Sequence, residues 1–479
     1  MELKKVLQEI QKVGKVYVVG GFVRDLLRFL KDNPNGNFTQ LKTKDVDFVV
    51  LGSGVEFAKK VDKVMGEVGS LVLFEDFDTA RYVFDNGLEL EFAGARSEEY
   101  KEDTRKPKVV SATLESDLSR RDFTVNAMAL GVADLLVGKI ENVVDNFNGI
   151  ADLEGGILKT PIDPNKTFFD DPLRMMRAVR FSAQLDFEIE EGTYRAIEKN
   201  AERLKIISKE RINEELFKLL KTKEPSVGLW ALYNTKLFNY FLPEINDLYG
   251  VEEVYGQTHK NNLAHTFKVV DNISKYTDNV MLRFSALMHD IGKPGTKRFT
   301  KGRGWTFDGH EMLGRKMVWN IGRRLRMKKT DIAYTAKLVR WHQHPISLMD
   351  DKITDSAVRR LIVNAGEELE DLLKLGRSDI TTGNPSKKER RLKNYDFLEE
   401  RIEEVLERDK LRAFQSPVRG EEIMELCSLK PGPTVGKIKE AIETAILDGV
   451  IPNEHEPAQK YFLSIKDEYL KDVEDWEKT

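Results

Sequence analysis

The sequence predicts an α+β protein: a small mixed β-sheet in the N-terminal third, followed by a mostly α-helical remainder. Two observations near the start point to the sheet. A β-branched run, Val16 to Val19, runs into the Gly20-Gly21 turn, then a helix-spaced stretch from Phe22 to Leu30 and a second strand, Asp45 to Val50. Three more strand patterns follow at Ser70–Phe74, Thr79–Phe84 and Leu88–Ala93, the last two joined by the hairpin signal Asp85-Asn86-Gly87. Beyond about residue 151 the readable elements are helices.

Length and composition bound the rest. A chain of 479 residues is expected to hold several domains. The boundaries read as a head (1–150), a neck (151–235), a body (255–385) and a tail (386–479). Hydrophobic content of 41% suffices for packed cores. The formal net charge is −4, so any nucleic-acid surface must be local. The single cysteine, Cys427, excludes an internal disulfide framework and suits a reducing cytoplasm. The first residues form a charged amphipathic stretch without the apolar core of a signal peptide, and no run approaches the ~20 apolar residues of a membrane span.

Within the strand Asp45–Val50, side chains two apart share a face, so Asp45 and Asp47 point one way and Val46 and Phe48 the other, into the core. Two neighbouring carboxylates beside a glycine turn that opens a helix can hold Mg²⁺ against a triphosphate whose oxygens meet helix N-terminal N–H groups. The alternative is a polar strand edge. GGFVRDLL followed by DVDFVV resembles the first signature of the template-independent nucleotidyltransferases of the DNA polymerase β superfamily. More narrowly, it is similar to bacterial-type CCA-adding enzymes (tRNA nucleotidyltransferases) and their poly(A) polymerase relatives. The gap before Asp45 is longer than the family's usual one. Residues 32–42 read as an inserted polar loop that bulges outward.

In the head, Phe57 to Val68 reads as a helix. Glu89 and Glu91 share a strand face; a solvated face is the preferred reading, with Glu91 as a third carboxylate the alternative. The resemblance places Arg96 near the active site. Residues 104–118 read as charged and irregular, in a place where the family has a loop that affects nucleotide choice. SRRDFTVNAMA, residues 119–129, matches the family's second signature. Arg120 and Arg121 suit phosphate oxygens. Asp122 is suited to orient an arginine or cap a helix, and Asn126 to bond a sugar or backbone. Residues 134–140 and 144–153 resemble the third signature, a hairpin closing the head.

In the neck, Pro172 fits a first helical turn after Asp170 or Asp171, and Arg174, Arg177 and Arg180 fall along one helical stripe. Asp171 and Arg174 are near enough to present acceptor and donor together. The resemblance implies that this pair reads the incoming base, with Asp170 standing where the family has glutamate. It further implies that Gly21, Arg24, Arg121, Arg177 and Arg180 bind phosphates and sugar. Ser208 reads as a helix cap, with Arg211 reaching towards nucleotide or tRNA. The basic excess between Arg203 and Lys223 suits an RNA backbone or a solvated face equally.

Six of the seven histidines lie between His259 and His344. His289-Asp290, ending an apolar helix before IGKP, resembles the HD superfamily of metal-dependent phosphohydrolases. The matched ligands are His265, His289 and Asp290, with Asp379 as the later aspartate. His310 and His342 are candidates to complete a binuclear site. Mixed N/O donors suit a transition metal such as Mn²⁺ or Ni²⁺. In the tail, residues 387–393 open a long helix with basic residues. Pro431-Gly-Pro separates two helices, the second of which could meet a tRNA phosphate at Thr434 to Lys437.

The resemblance implies CCA addition to the tRNA 3′ end from CTP and ATP, with Mg²⁺ on Asp45 and Asp47. The alternatives are an A-adding, CC-adding or poly(A) polymerase, or an HD phosphohydrolase with an RNA-binding head.

Overall fold

The computed structural model describes residues 2–101, 104–255, 257–258, 261–349, 354–409, 416–471, 473 and 475–477. It is α+β, as expected, and divides into two compact units, one of residues 1–246 with 324–326, the other of 247–323 and 327–479. The expected head and neck thus fall in one unit, and body and tail in the other. Among the described residues no helix is long and apolar enough to cross a membrane.

The first unit opens with α1 (Leu3–Val13), β1 (Val16–Val19), α2 (Gly21–Asp32), β2 (Asp45–Val50), α3 (Gly54–Met65), β3 (Ser70–Phe74), β4 (Thr79–Val83) and β5 (Glu89–Gly94). Next come β6 (Arg96–Lys101), β7 (Thr104–Ser111), α4 (Leu114–Ser119) and β8 (Ala129–Gly131). One six-stranded sheet runs β3-β4-β5-β2-β1-β8. Within this sheet β2 and β5 pair in parallel, in the register Asp45↔Glu89 and Asp47↔Glu91. The other face of β2 supplies Val46 and Phe48 to a core where Phe48 stacks on Phe92 at 4.9 Å.

Three expectations need correction here. Residues 104–111 are not irregular: β6 and β7 form a separate antiparallel ribbon, and 114–119 are helical. The inserted loop does not simply bulge outward. Phe38 turns back into the head core at 6% exposure, and Asn37 and Gln40 close a capping box around it. The third-signature stretch is not a hairpin. It forms α5 (Val132–Val137), whose Val132 and Leu135 are buried at helical spacing, and rejoins β8 only through the bridge Ala129–Val144. Then follow α6 (Gly149–Gly155), β9 (Ile157–Leu158), α7 (Pro164–Asp170), α8 (Leu173–Leu185), β10 (Glu188–Ile189), α9 (Glu191–Asn200), α10 (Lys209–Leu220) and α11 (Pro225–Asn234). Helix α8 carries the arginine stripe and packs on α10 and α11.

The second unit is mostly helical, with two short antiparallel ribbons, Glu253–Val254 with Gln257–Thr258 and Arg298–Thr300 with Gly304–Thr306. It comprises α12 (Asn262–Ile273), α13 (Val280–Met288), α14 (Lys293–Thr296), α15 (His310–Arg324), α16 (Lys329–Trp341), α17 (Gln343–Ser347), α18 (Asp355–Ala365) and α19 (Leu369–Ser378). Beyond these lie α20 (Pro385–Asp409), α21 (Gly420–Cys427), α22 (Pro433–Leu447) and α23 (His455–Leu470). The start of α22, a candidate phosphate contact, has the tail's own Glu477 against it: Lys430 N–H donates to the Glu477 carbonyl at 2.7 Å, and Glu477 is buried.

Candidate functional site

The first unit holds a cleft of about 270 Å³ lined by Asp47, Phe48, Glu91, Ala93, Arg96, Arg120, Arg121, Asp122, Asp171, Arg174, Arg177 and Arg211. Strand alternation puts Asp47 on its floor, and the parallel register sets Glu91 beside it. Asp45 is exposed on the same face, one position further along that face of β2. Asp47 is also solvent-exposed, but partial desolvation by the cleft walls holds its carboxyl above the usual range; Arg121 opposes this, and Glu91 and Asp45 add to it. Crowded acids repelling one another on a strand face are a donor set that suits divalent cations. Glu91 also lies 3.5 Å from Arg81.

The turn before α2 depends on Gly20 more than on Gly21. Gly20 has φ +69°, and a Cβ there would sit 3.1 Å from Arg121 Nη1 and 3.7 Å from Asp47 Oδ2. A Cβ at Gly21 would meet only Arg24, at 3.5 Å. Without a side chain at Gly20, the backbone that opens α2 lies close to the acidic floor.

The cleft arginines are held by buried acids. Arg120 and Arg121 both bond Asp117, at 2.6 and 3.2 Å. Sequence reasoning missed Asp117, although its spacing of three and four before the arginines marks it on one helical face. Burial alone would raise its carboxyl, but Arg121 and Arg120 outweigh that and hold it below the usual range. Asp122 accepts from Arg177 Nε at 2.8 Å and from Asn126 Nδ2 at 3.0 Å. Burial opposes these partners too, yet Arg177 and Asn126 take the carboxyl down to about 2.

Arg24, Arg180 and Asn126 are not placed as the sequence suggested. Arg24 is buried, donating to Asn126 Oδ1 at 2.8 Å and to Asp25 at 2.8 Å. Arg180 is buried on Glu215 and Gln184, each at 2.6 Å. Asn126 bridges Arg24 and Asp122 rather than facing a sugar. Arg24 and Asn126 brace Asp122 of the cleft from behind. Asp171 takes the capping role, accepting from Leu173 N–H at 3.3 Å, and both it and Arg174 face the cleft. Arg96 hydrogen-bonds the Phe77 carbonyl and Thr79.

The second unit gathers its histidines into two groups. His265, His289 and Asp379 form one, and Asp290, His310 and His342 the other, with ligand atoms within 4.8 Å of one another in each. Asp290 faces both: Oδ2 lies 3.2 Å from His289 Nε2, and Oδ1 lies 3.5 Å from His310 Nε2. The Nδ1 atoms of His289, His310 and His342 contact the carbonyls of Ala286, Phe307 and Val339 at 2.7 to 2.8 Å. Donation there turns each Nε2 lone pair inward, as a metal ligand requires. Desolvation, then His289, lowers His342 to about 3, keeping it neutral. The donors fit a pair of divalent transition metals. A cavity of about 530 Å³ adjoins, its lining including Lys293, Arg340, Trp341 and Arg391; of these, Arg340 and Trp341 were not singled out by sequence reasoning. Lys293, 2.6 Å from Asp290, was readable at a spacing of three. His259 lies outside the described residues.

A nucleotidyltransferase-like head joined to a helical neck, with a separate histidine-rich unit, is the class these features define. Three family models match: the poly(A) polymerase head domain over residues 16–159, the probable RNA- and SrmB-binding site of polymerase A over 186–249, and the HD domain over 262–378. An A-adding tRNA nucleotidyltransferase of Deinococcus radiodurans is 32% identical over 341 residues, 69% of this chain and 75% of that one. A CCA-adding enzyme of Streptococcus thermophilus is 29% identical over 96% of both chains. The solved CCA-adding enzyme of Bacillus stearothermophilus in complex with CTP has the same fold, with TM-score 0.64 at 21% identity over 98% of both chains. The chain belongs to the tRNA nucleotidyltransferase and poly(A) polymerase family and carries an HD domain.

Proposed function

We propose that this protein is a CCA-adding enzyme, extending the tRNA 3′ end from CTP and ATP without a template and releasing pyrophosphate. The observation that carries this is one cleft in which an acidic floor, Asp47 and Glu91, faces Arg121, Asp171, Arg174 and Arg177. Relatives alike over nearly the whole chain are named CCA-adding enzymes.

In this reading Asp45 and Asp47, with Glu91 beside them, would hold Mg²⁺. Bound there, the ions would lower the pKa of the attacking 3′-hydroxyl and neutralise the triphosphate. The N-terminus of α2 directs backbone N–H groups and its dipole towards phosphate oxygens. Arg121 and Arg177 are fixed by Asp117 and Asp122, so little side-chain order is lost when they meet phosphates. Asp171 supplies an acceptor and Arg174 a donor to the Watson–Crick edge of the incoming base.

The test is incubation with tRNA transcripts ending before the first C, the second C or the A, with CTP and ATP separately and together. Extension of all three to a full CCA end supports the reading. Extension only of the transcript lacking A favours an A-adding enzyme, the name borne by the Deinococcus relative. For the HD domain we propose two transition-metal ions, Mn²⁺ or Ni²⁺, held by His265, His289 and Asp379 and by His310 and His342, with Asp290 shared. We further propose a phosphohydrolase activity there; its test is phosphate-ester hydrolysis lost in His289→Ala while nucleotide incorporation persists. A cytoplasmic location accords with the lone cysteine.

A further inference from the structure

Between Arg315 and Lys329 the chain carries seven basic residues and no acidic one, within a protein of net charge −4. Solvated helix faces usually alternate in sign; this one does not. Arg315, Lys316, Arg323, Lys328 and Lys329 are exposed, and among the described residues none of the five has a carboxylate within ion-pair distance. Arg315, Lys316 and Arg323 share one face of α15, spread along about 12 Å of helix. Trp319 lies among them, with the Arg323 guanidinium 5.8 Å from its ring centre. His310, Gly314, Val318 and Ile321 of α15 are buried and turn away from the basic face. Gly314 and Gly322 let α15 approach α16 closely, since a Cβ on them would meet Val339 at 3.0 Å and Ile332 at 2.5 Å. Lys328 and Lys329 begin α16, where the helix dipole disfavours cations and Asp331 is the acid of the first turn. An anion from outside the chain would add to the relief that Asp331 gives.

We propose that this face of α15 and the start of α16 bind the phosphate backbone of the RNA substrate, independently of its sequence. This rests on the tRNA reading above. Unpaired cations on a rigid element release counterions when they meet phosphates, which gives affinity without base recognition.

The experiment measures tRNA affinity against salt concentration for the full chain, for Arg315→Ala/Lys316→Ala/Arg323→Ala, and for Arg315→Lys/Arg323→Lys. The alanine variant is expected to bind tRNA roughly tenfold or more weakly, with the salt slope reduced by about 0.7–0.9 for each phosphate no longer neutralised. Its KM for tRNA rises, while KM for CTP and kcat at saturating tRNA stay unchanged. The lysine variant keeps the wild-type slope. Equal affinity and slope in the alanine variant overturn the proposal, as does a slope reduced in the lysine variant too, which indicates packing rather than charge. A wild type that fails to bind tRNA overturns the functional reading itself, and this proposal with it.

Discussion

Asp47 and Asp122 both lie beside arginines in one cleft, yet their carboxyls are held in opposite directions. Partial desolvation in the cleft raises Asp47 and two neighbouring acids add to it; Arg177 and Asn126 outweigh burial at Asp122 and lower it to about 2. The repulsion among Asp47, Glu91 and Asp45 leaves room for a cation, whereas Asp122 is neutralised from within. Asp47→Ala should cut nucleotide incorporation by about 10³-fold or more, about 4 kcal/mol of transition-state stabilisation. Its thermal midpoint should not fall, because one of three mutually repelling acids is gone. Residual incorporation within tenfold of wild type would reject the assignment. Asp122 bears on the fold instead. Its folded-state pKa lies below the ordinary 3.8, so its stabilisation is complete above about pH 4 and is lost as pH falls towards 2. The amount is on the order of 2 kcal/mol. Asp122→Asn should flatten stability against pH in that window; an unchanged acid-unfolding profile would show that the Arg177 pair contributes nothing.

Single elements explain what the sequence revealed and what it hid. Strand β2 was legible because Asp45–Phe48 alternates polar and apolar on a two-residue period before the apolar Val49-Val50, and only one register buries Val46 and Phe48 while exposing the acids. The roles of Arg24 and Arg180 were not legible. Besides the local Asp25 and Gln184, their partners Asn126 and Glu215 lie 102 and 35 residues away, and nothing local announces that these will fold against them. The same holds for Phe38, which with Leu41 supplies the large apolar side chains of an otherwise polar insertion. Phe38→Ala should cost about 3 kcal/mol through the cavity left in the head core, with kcat unchanged; a loop that bulged freely would show no loss in chemical denaturation. At the turn before α2, Gly20→Ala meets a left-handed φ and displaces Arg121. It should lower stability by about 1–2 kcal/mol and reduce incorporation as well, whereas Gly21→Ala should be far milder in both assays.

At the scale of the whole chain, two units each carry their own acidic and basic constellation, and their metals should be separable. Asp290 presents one oxygen to His289 and the other to His310, so it belongs to both histidine groups. His342 belongs to only one. If both groups load, the full chain retains two transition-metal equivalents after dialysis against Mn²⁺ or Ni²⁺. His342→Gln should then retain about one, because His265, His289 and Asp379 are untouched. Asp290→Ala should retain less than His342→Gln, since both groups lose a donor. Nucleotide incorporation with Mg²⁺ should stay within about twofold of wild type in both variants, because Asp45 and Asp47 lie in the other unit. Asp47→Ala should show the reverse: full metal content and no incorporation. Equal metal loss in His342→Gln and Asp290→Ala would mean that the two groups load as one, and loss of incorporation alongside metal would tie the two units into a single functional site.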